Sequence, residues 1–334
     1  MKRYNIGILG ATGAVGREMM KVLEERNFPI DELRLLASAR SAGKQLAYRG
    51  EGITIQEAEE DAFKGLDIVL GAAENDIAKR FAPAIKAAGA VFVDNSSAFR
   101  LNPDVPLVVP EINPEDVKLH QGIIANPNCT TIISLVAING LRKASSIESI
   151  VASSYQAVSG AGAAGLAELE QQLRAMAQGE PITASAFPYQ IACNVIPQIG
   201  GEAFNGYTSE EMKLQNEGRK IMHLPEMRVS CTCVRVPVMR SHSVSLLVRT
   251  KEKITVEQAR QLIADAPGCK LVDDLANRVY PMPLDTSDQD LVYVGRIRDD
   301  LISDNGLNIW CCGDQIRKGA ATNAIQIAEL LLDR

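Results

Sequence analysis

Short apolar runs alternate with helical patterns from Tyr4 to Ala125. An apolar run, Tyr4–Leu9, precedes the stretch GATGAVG, after which Met19, Val22 and Leu23 recur at the spacing of one helix face. Asp67–Ala72 is continuously apolar after its aspartate, which is typical of a strand buried in a parallel sheet. The other elements predicted here are strands at Glu32–Ala37, Ala90–Asp94, Leu107–Val109 and Gly122–Ala125 and a helix at Ile77–Ala88. Strands that alternate with helices predict a doubly wound parallel sheet.

The pattern changes after Cys129. A helix is predicted at Ile132–Leu141, and the β-branched run Ile147–Gln156 follows it. Met227–Val238 and Ser243–Arg249 alternate apolar with polar residues, which predicts a largely antiparallel sheet with one covered face.

The last segment, Asp314–Leu332, has the pattern of a long amphipathic helix, and we expect it to return to the first domain. The expected first domain is therefore residues 1–128 plus 313–334, and the expected second domain is residues 129–312. Neither an internal repeat nor a low-complexity linker interrupts the sequence.

Composition and charge narrow the class of protein. The chain has 334 residues, of which 46% are hydrophobic and 23% are charged, and a formal net charge of −6. These values are ordinary for a globular protein, and the absence of a basic run argues against nucleic acid as a partner. The apolar stretch after the N-terminal basic residues is too short for a signal peptide or membrane span, so a cytoplasmic location is expected. The seven cysteines show no zinc-site spacing, and we predict reduced thiols and no metal.

The loop GATGAVG lies between a predicted strand and a predicted helix, which is the setting of a Rossmann-type dinucleotide site. Its glycines permit the tight turn, the approach of a pyrophosphate and close packing of the helix. The second strand ends in SARSAGK, with Ser38, Arg40, Ser41 and Lys44 and no acidic residue, which favours NADP over NAD. The alternative is a tight turn without a ligand, followed by a solvated loop.

Cys129, in the stretch NPNCTT, is predicted at the start of a helix. Unpaired N–H groups and the positive end of the helix dipole lower the pKa of a thiol there, so Cys129 is a candidate nucleophile. The other cysteines with a clear setting, Cys231, Cys233, Cys311 and Cys312, lie in apolar strand-like segments and are expected to be buried.

A nucleophilic cysteine needs an acid/base, and the chain has three histidines, His120, His223 and His242. His242 has Arg235 and Arg240 as neighbours, which suits a site for an anionic substrate. The odd spacing of Arg235 and His242 places them on opposite faces of an unbroken strand, so both reach one site only if the chain bends or bulges near Pro237. The alternative for His242 is a half-buried structural histidine.

Taken together, these segments resemble the aspartate-semialdehyde dehydrogenases, and the resemblance extends over almost the whole chain. NPNCTT, SYQAVSGAG and RVPVMRSHS are the most specific of the matching segments, which also include GATGAVG, LASARSAGK, DNSSAFR, VVPEIN, EEMK and DQIRKGAATNAIQIAE. The resemblance implies an NADP-dependent homodimer that forms its dimer through the second, catalytic domain. It also implies the reduction of β-aspartyl phosphate to the semialdehyde, with loss of phosphate, in amino-acid biosynthesis.

The resemblance also implies residue roles. Cys129 would form a thioacyl enzyme, His242 would be the acid/base and Gln156 would orient the intermediate. The implied substrate contacts are Arg235 for the α-carboxylate, Glu210 for the amino group, and Arg100, Lys213 and Asn95 for the phosphate. The implied cofactor contacts are Gly10, Thr12, Gly13, Ala14, Val15, Ser38, Arg40, Ser41, Ser159, Gly160 and Asn323.

Two segments depart from the common pattern of that family. GAAEND replaces a serine- and glycine-rich turn, so Glu74 would bring a negative charge near the cofactor phosphates. Ser241 stands where glycine is common, directly before His242.

Three other functions compete with this interpretation. N-acetyl-γ-glutamyl-phosphate reductase also uses a cysteine against an acyl phosphate, but with an N-P-G-C-type turn in place of NPNC. Glyceraldehyde-3-phosphate dehydrogenase shares the general mechanism, but its S-C-T-T-N motif is absent. A sensor or scaffold that only binds NADP would have no need for Cys129, Gln156, Arg235 and His242 together.

Overall fold

The computed structural model describes residues 2–332. The chain divides into two compact units, Met1–Asn128 with Ala320–Arg334, and Cys129–Gly319. Met1, Asp333 and Arg334, which the expected first domain includes, lie outside the described residues. Over the part of the chain that is described, no helix is both long enough and apolar enough to cross a bilayer.

The first unit contains a parallel sheet with helices. Its strands are β1 (Tyr4–Leu9), β2 (Ile30–Ala37), β3 (Gln45–Tyr48), β4 (Glu51–Thr54), β5 (Gln56–Glu57), β6 (Ile68–Gly71), β7 (Val91–Asp94) and β8 (Ile123–Ala125). Its α-helices are α1 (Ala14–Glu25), α2 (Asn75–Ala87) and α8 (Thr322–Leu330), and 3₁₀ turns lie at Glu60–Phe63 and Pro114–Leu119.

The main sheet of this unit has the order β5-β2-β1-β6-β7-β8, and all of its pairs are parallel. The predicted doubly wound parallel sheet is confirmed. The predicted strand at Leu107–Val109 is wrong, because only Leu107 forms an isolated bridge, to Ala125. A hairpin of β3 and β4, for which we made no prediction, follows the Ser38–Ser41 turn.

The second unit begins at Cys129, where α3 (Cys129–Asn139) starts. Its other α-helices are α4 (Gly162–Gln178), α5 (Ser209–Met222), α6 (Val256–Ala264) and α7 (Pro283–Thr286). Its strands are β9 (Ile147–Gln156), β10 (Glu202–Phe204), β11 (Tyr207–Thr208), β12 (Arg228–Arg235), β13 (His242–Thr250), β14 (Cys269–Leu271), β15 (Val292–Asp299) and β16 (Gly306–Gly313).

The main sheet of the second unit has the order β12-β9-β13-β16-β15-β14 and is mixed. The three central pairs are antiparallel, as expected, whereas both outer pairs, β12 with β9 and β14 with β15, are parallel. The alternation of apolar and polar residues along Met227–Val238 indicates that one face of the strand is covered, but it does not indicate strand direction. The parallel direction of the outer pairs was therefore not predictable from it.

The C-terminal segment differs from the single helix predicted for Asp314–Leu332. A π-helical turn at Arg317–Ala321 precedes α8, and the Gly319 N–H donates to the Asp314 carbonyl at 2.9 Å. Gly319 lets this turn pass close to Cys129, since a Cβ on Gly319 would lie 2.7 Å from the Cys129 Cβ. The return of the last helix to the first unit is confirmed, because Ala324, Ile325 and Ile327 of α8 belong to that unit's apolar core.

Candidate active site

Cys129 is the first residue of α3, as the sequence predicted, and it is partly exposed. The next nine residues of the helix are all buried, so α3 is held firmly in the core of the second unit. A helix N-terminus carries unpaired N–H groups and a partial positive charge, and both favour a thiolate over a thiol. The charges of Cys129 and Arg235 also interact. Cys129 therefore has the surroundings of a reactive cysteine.

Three polar side chains meet at one edge of the second sheet. Gln156 ends β9, Arg235 ends β12 as the direct partner of Gln156, and His242 begins β13. Since β9 lies between β12 and β13, no bulge within one strand is needed to bring Arg235 and His242 together. The expected bend near Pro237 is instead a complete break between two strands. Ser241 ends this break with a φ of +73°, which explains why glycine suits that position.

His242 is fully buried, and its Nδ1 accepts a hydrogen bond from the backbone. The Ala157 N–H donates to Nδ1 at 3.0 Å, so the neutral ring carries its proton on Nε2, which lies 3.5 Å from Gln156 Nε2. Burial and, to a smaller extent, the charge of Arg235 lower the pKa of His242 to about 3, against the opposing effect of Glu210. The ring is therefore neutral at physiological pH.

Arg235 is held beside this histidine. Its Nη1 donates to the Ala157 carbonyl at 2.6 Å, and the residue is 7% exposed. A Cβ on Gly160 would lie 2.8 Å from Arg235 Nη1 and 3.3 Å from His242 Nε2. Gly160, predicted as a cofactor contact, therefore lets the backbone approach both side chains.

The first turn of α5 adds a carboxylate and an ammonium group to the same site. Glu210 accepts from Gln156 Nε2 at 3.3 Å and pairs with Lys213 Nζ at 2.7 Å. The helix start is set by a capping box between Thr208 and Glu211, and Glu211 also accepts from the Cys233 N–H of β12. Because of this second bond, α5 is tied to the strand that carries Arg235.

Sequence reasoning missed one polar residue of the second unit. Gln315 donates to the Ser159 hydroxyl, and its side-chain oxygen accepts from the Ser241 N–H at 2.8 Å. It therefore links Ser159, a predicted cofactor contact, to the residue before His242. The Asp-Gln pair in DQIRKG was part of the resemblance, but no spacing rule pointed to this role.

Arg100, Asn95 and Asn323 lie in the first unit, at the carboxyl ends of its strands. Arg100 Nε donates to the Asn126 carbonyl at 2.9 Å and Nη2 to the Asn95 carbonyl at 2.7 Å. Asn126, which sequence reasoning missed, donates to Asn95 Oδ1 at 2.7 Å and accepts from Asn323 Nδ2 at 2.7 Å. The side-chain amides of these three asparagines therefore form a continuous chain of hydrogen bonds at this edge of the sheet.

The glycine loop fits a dinucleotide. Gly10 has a φ of +90°, and a Cβ there would lie 2.5 Å from the Ala72 carbonyl, whereas one on Gly16 would lie 2.4 Å from the Gly10 carbonyl. A Cβ on Gly13 would meet Gly10 O at 3.5 Å, an ordinary contact, so the packing of described residues does not require glycine there. The described side chains also leave the first turn of α1 uncapped. An anionic group at this turn would use both features.

The other predicted cofactor contacts near the glycine loop follow strands β1 and β2 along the chain. Thr12, Ala14 and Val15 are partly buried around Gly13. Ser38, Arg40 and Ser41 form an exposed to half-exposed turn directly after β2, closed by a bond from the Ser41 N–H to the Ser38 carbonyl at 2.8 Å. Glu74 is exposed at the N-cap of α2, two residues beyond Ala72, and its effect on the cofactor phosphates stays a prediction.

The remaining thiols and histidines have plainer settings. Cys231, Cys233, Cys311 and Cys312 are buried, as predicted, and burial raises the pKa of Cys312 to about 12. His120 accepts from the Gly122 N–H, and His223 ends α5 with a φ of +54°. Within residues 2–332, no cluster of three or more Cys, His, Asp or Glu side chains has the arrangement of a metal site.

Comparisons with known proteins identify the family of the chain. The model of the semialdehyde dehydrogenase NAD binding domain matches residues 5–120, and that of the semialdehyde dehydrogenase dimerisation domain matches residues 138–318. A relative from Synechocystis sp. named aspartate-semialdehyde dehydrogenase is 53% identical, with coverage of 98% of this chain and 97% of the relative. The chain belongs to the aspartate-semialdehyde dehydrogenase family. The resemblance inferred from its motifs is therefore confirmed.

Solved structures of aspartate-semialdehyde dehydrogenases have the same fold. Aspartate semialdehyde dehydrogenase II from Vibrio cholerae, complexed with ASA, is 44% identical with a TM-score of 0.96, and the alignment covers 99% of this chain and 98% of that one. The Candida albicans aspartate semialdehyde dehydrogenase with NADP is 26% identical with a TM-score of 0.76, at 99% and 98% coverage.

Proposed function

We propose that this chain reduces L-4-aspartyl phosphate to L-aspartate 4-semialdehyde with NADPH, through a thioacyl group on Cys129. The observation that carries the proposal is the grouping of Arg235, His242, Gln156, Glu210 and Lys213 in the unit that Cys129 begins. The product would serve the biosynthesis of lysine, methionine, threonine, isoleucine and diaminopimelate. The domain division at 128/129 and 312/313 and the cytoplasmic location stay predictions.

Each residue of the second unit has a role that suits its chemistry. The Cys129 thiolate attacks the acyl carbon, the bond from that carbon to the phosphate oxygen breaks, and phosphate leaves with the bonding electrons. Arg235 binds the α-carboxylate through its fork of N–H donors, and Glu210 accepts from the α-ammonium group. Lys213 neutralises the phosphate, together with Arg100 and Asn95 of the first unit.

The oxygen of the tetrahedral intermediate needs hydrogen-bond donors. N–H groups at the start of α3 are candidates, and Gln156 orients the intermediate. We assign His242 the acid/base role at the substrate oxygen, through Nε2. Once the thioacyl group has been reduced to a thiohemiacetal, its collapse would break the carbon–sulfur bond, form the aldehyde and return the Cys129 thiolate.

The dinucleotide would be held by the glycine loop from Gly10 to Val15, by Ser159, Gly160 and Asn323, and by the Ser38–Ser41 turn. When bound, NADPH supplies the hydride that reduces the acyl group. Arg40 supports NADP over NAD, because its side chain is exposed at the end of β2, where a 2′-phosphate is bound in this fold. The uncapped start of α1 suits the pyrophosphate.

The experiment runs the reverse reaction with the purified full-length chain. L-Aspartate semialdehyde, phosphate and NADP are mixed, and formation of reduced nicotinamide is followed by its absorbance. We expect turnover that requires phosphate and is faster with NADP than with NAD. Turnover only with N-acetylglutamate semialdehyde would replace this proposal with the competing reductase, and faster turnover with NAD would overturn the cofactor assignment.

The buried His242 leads to a pH prediction. Its folded-state pKa of about 3 lies below the ordinary 6.5, so the unfolded chain binds more protons between these values. The neutral ring therefore makes its full contribution to the free energy of unfolding above about pH 6.5, and this contribution is lost as the pH falls toward 3. In an NMR titration of the ligand-free protein, assigned with a His242→Asn variant, the His242 signal should not titrate between about pH 5 and 8. A midpoint near 6.5 would contradict the buried neutral ring.

We also propose that the second unit forms a homodimer through the outer face of its sheet. Val151 lies opposite Leu247 on this face, and the Tyr155 and Trp310 rings are 5.5 Å apart. Val151 is 51% exposed and Tyr155 is 38% exposed, so this apolar strip is only half covered within one chain. A second copy would cover it by an isologous contact.

A lysine at Val151 should therefore weaken the dimer. Val151→Lys places a charge in the proposed interface and should raise the dimer dissociation constant at least about tenfold, as measured by analytical ultracentrifugation over a dilution series. Val279→Lys is the matched control, because Val279 is 47% exposed but lies outside this sheet face. An unchanged dimer in Val151→Lys, or a wild type that stays monomeric, would contradict the assigned interface.

A further inference from the structure

A long segment without regular structure follows α4. Between Gly179 and Gly201 the described chain forms neither helix nor strand, apart from an isolated bridge at Ile196. Loops of this length inside a compact unit are uncommon and are usually functional. Its apolar residues Phe187, Ile191 and Ile196 pack with Val158 and Leu169 in a small separate core. The segment therefore has a defined conformation, and two side chains of α4 explain how it is held.

The first of these is Glu168, which is 4% exposed. Its carboxylate accepts from the Ser185 N–H at 2.7 Å, the Ser185 hydroxyl at 2.9 Å, the Phe187 N–H at 3.4 Å and the Ala186 N–H. Burial opposes ionisation of this carboxyl group, but the N–H and hydroxyl donors outweigh burial and lower the pKa of Glu168. A buried carboxylate with this many donors fixes the backbone that provides them.

The second side chain is Gln172, one turn further along α4 and 1% exposed. Its oxygen accepts from the Ile191 and Ala192 N–H groups, both at 2.9 Å. Its nitrogen donates to the Thr183 carbonyl at 2.9 Å. Glu168 and Gln172 together hold residues 183–192 at both ends.

The segment held in this way contacts Arg235 twice. The Phe187 ring centroid lies 5.8 Å from the Arg235 guanidinium carbon, within the range of a cation–π contact. Ile196 exchanges both backbone bonds with Arg235, at 2.8 and 3.0 Å. Since the Ala157 carbonyl holds Nη1, the ring of Phe187 and this carbonyl together restrict where the guanidinium can point.

From these contacts we infer that Phe187, fixed by Glu168 through residues 185–187, is a positioning residue for Arg235 and sets the affinity for the substrate's α-carboxylate. The inference rests on the proposed function, in which Arg235 binds that carboxylate. Arg235 is 7% exposed, and a cation–π contact is stronger where water is excluded. Without the ring, the guanidinium gains alternative rotamers, and its fork no longer meets the carboxylate in one fixed geometry.

The test uses the full-length chain in the reverse assay with NADP. Phe187→Leu should raise the KM for aspartate semialdehyde about fivefold, with the KM for phosphate within about twofold of wild type. Phosphate is the internal reference because a general loss of structure would change both constants. Phe187→Tyr keeps the ring and should restore the wild-type value. Tyr189→Leu removes an aromatic ring that is 67% exposed two residues away, and it should have no effect.

A second pair of variants tests the role of Glu168. Glu168→Gln replaces one acceptor oxygen by an NH₂ group that faces N–H donors, and it should raise the KM for aspartate semialdehyde in the same selective way. Amide hydrogen exchange of residues 183–192, measured by mass spectrometry without substrate, should become at least about tenfold faster. Glu170→Gln, on the exposed side of α4, is the matched control.

The outcomes separate the two proposals. An unchanged KM for aspartate semialdehyde in Phe187→Leu, or an equal rise for phosphate, would overturn the positioning role while the proposed function stands. Unchanged exchange in Glu168→Gln would overturn the part assigned to Glu168. A wild type without turnover would instead remove the proposed function.

Discussion

Replacing Cys129 by serine should lower kcat roughly 10⁴-fold or more, because the acyl carbon then loses its nucleophile. A serine hydroxyl has nearly the shape of the thiol but is a far weaker acid, so the start of α3 cannot ionise it as it does a cysteine. The fold should persist, since the change removes no buried apolar group of the core. Steady-state turnover, cofactor affinity and thermal unfolding measured on the same preparation check these three expectations.

Two further measurements make this result specific. Cys193→Ser alters an exposed thiol of the same unit and should leave kcat unchanged. Mass spectrometry of the acid-quenched wild-type reaction with aspartyl phosphate, without cofactor, should find the aspartyl group on the peptide that contains Cys129. If Cys129→Ser kept more than a few per cent of the wild-type kcat, the nucleophile would have to be a different residue.

The second large effect is expected for Arg235→Lys. Lysine keeps the positive charge but lacks the planar fork that binds a carboxylate with two parallel N–H bonds. The lysine ammonium group should also lose the hydrogen bond to the Ala157 carbonyl and the contact with the Phe187 ring, which hold the guanidinium in the wild type. We expect kcat/KM for aspartate semialdehyde to fall roughly 10²- to 10³-fold, as for loss of one partner from a buried charged pair.

The control for Arg235→Lys comes from the same strand. Arg228, at the other end of β12, is exposed, and Arg228→Lys should leave kcat/KM unchanged. In Arg235→Lys most of the loss should appear in KM for aspartate semialdehyde, because the carboxylate is bound in ground state and transition state alike. A loss confined to kcat would assign Arg235 to the chemical step and contradict its role in binding.

Much of the site was predictable because its residues lie at element ends that the sequence marks clearly. Pro127, followed by an apolar helical pattern, predicted a helix start at Cys129, and α3 begins there. The glycines of GATGAVG predicted a tight turn, and Gly10 has the positive φ that such a turn needs. Signals of this kind depend on neighbours in the chain, so they are visible without the fold.

Other features depended on partners distant in the chain. The spacing of Arg235 and His242 called for a bend or bulge near Pro237, whereas β9 lies between their strands and all three strand ends meet at one edge. The low pKa of His242 comes from burial and from Arg235, and neither can be read from RSHSVS. Gln315 and Asn126 were missed because side-chain hydrogen bonds to residues far away in the chain follow no local spacing.

The sequence by itself determined the family, the alternating elements of the first unit, the glycine turn and the helix start at Cys129, because local propensity and short motifs decide each of these. The tertiary structure alone decided that the outer strand pairs of the second sheet are parallel and that His242 is buried and neutral. It also decided that Glu168 and Gln172 hold a loop against Arg235. These features depend on strand order and on packing between residues far apart in the chain, and the free energy of such contacts exists only once the chain has folded.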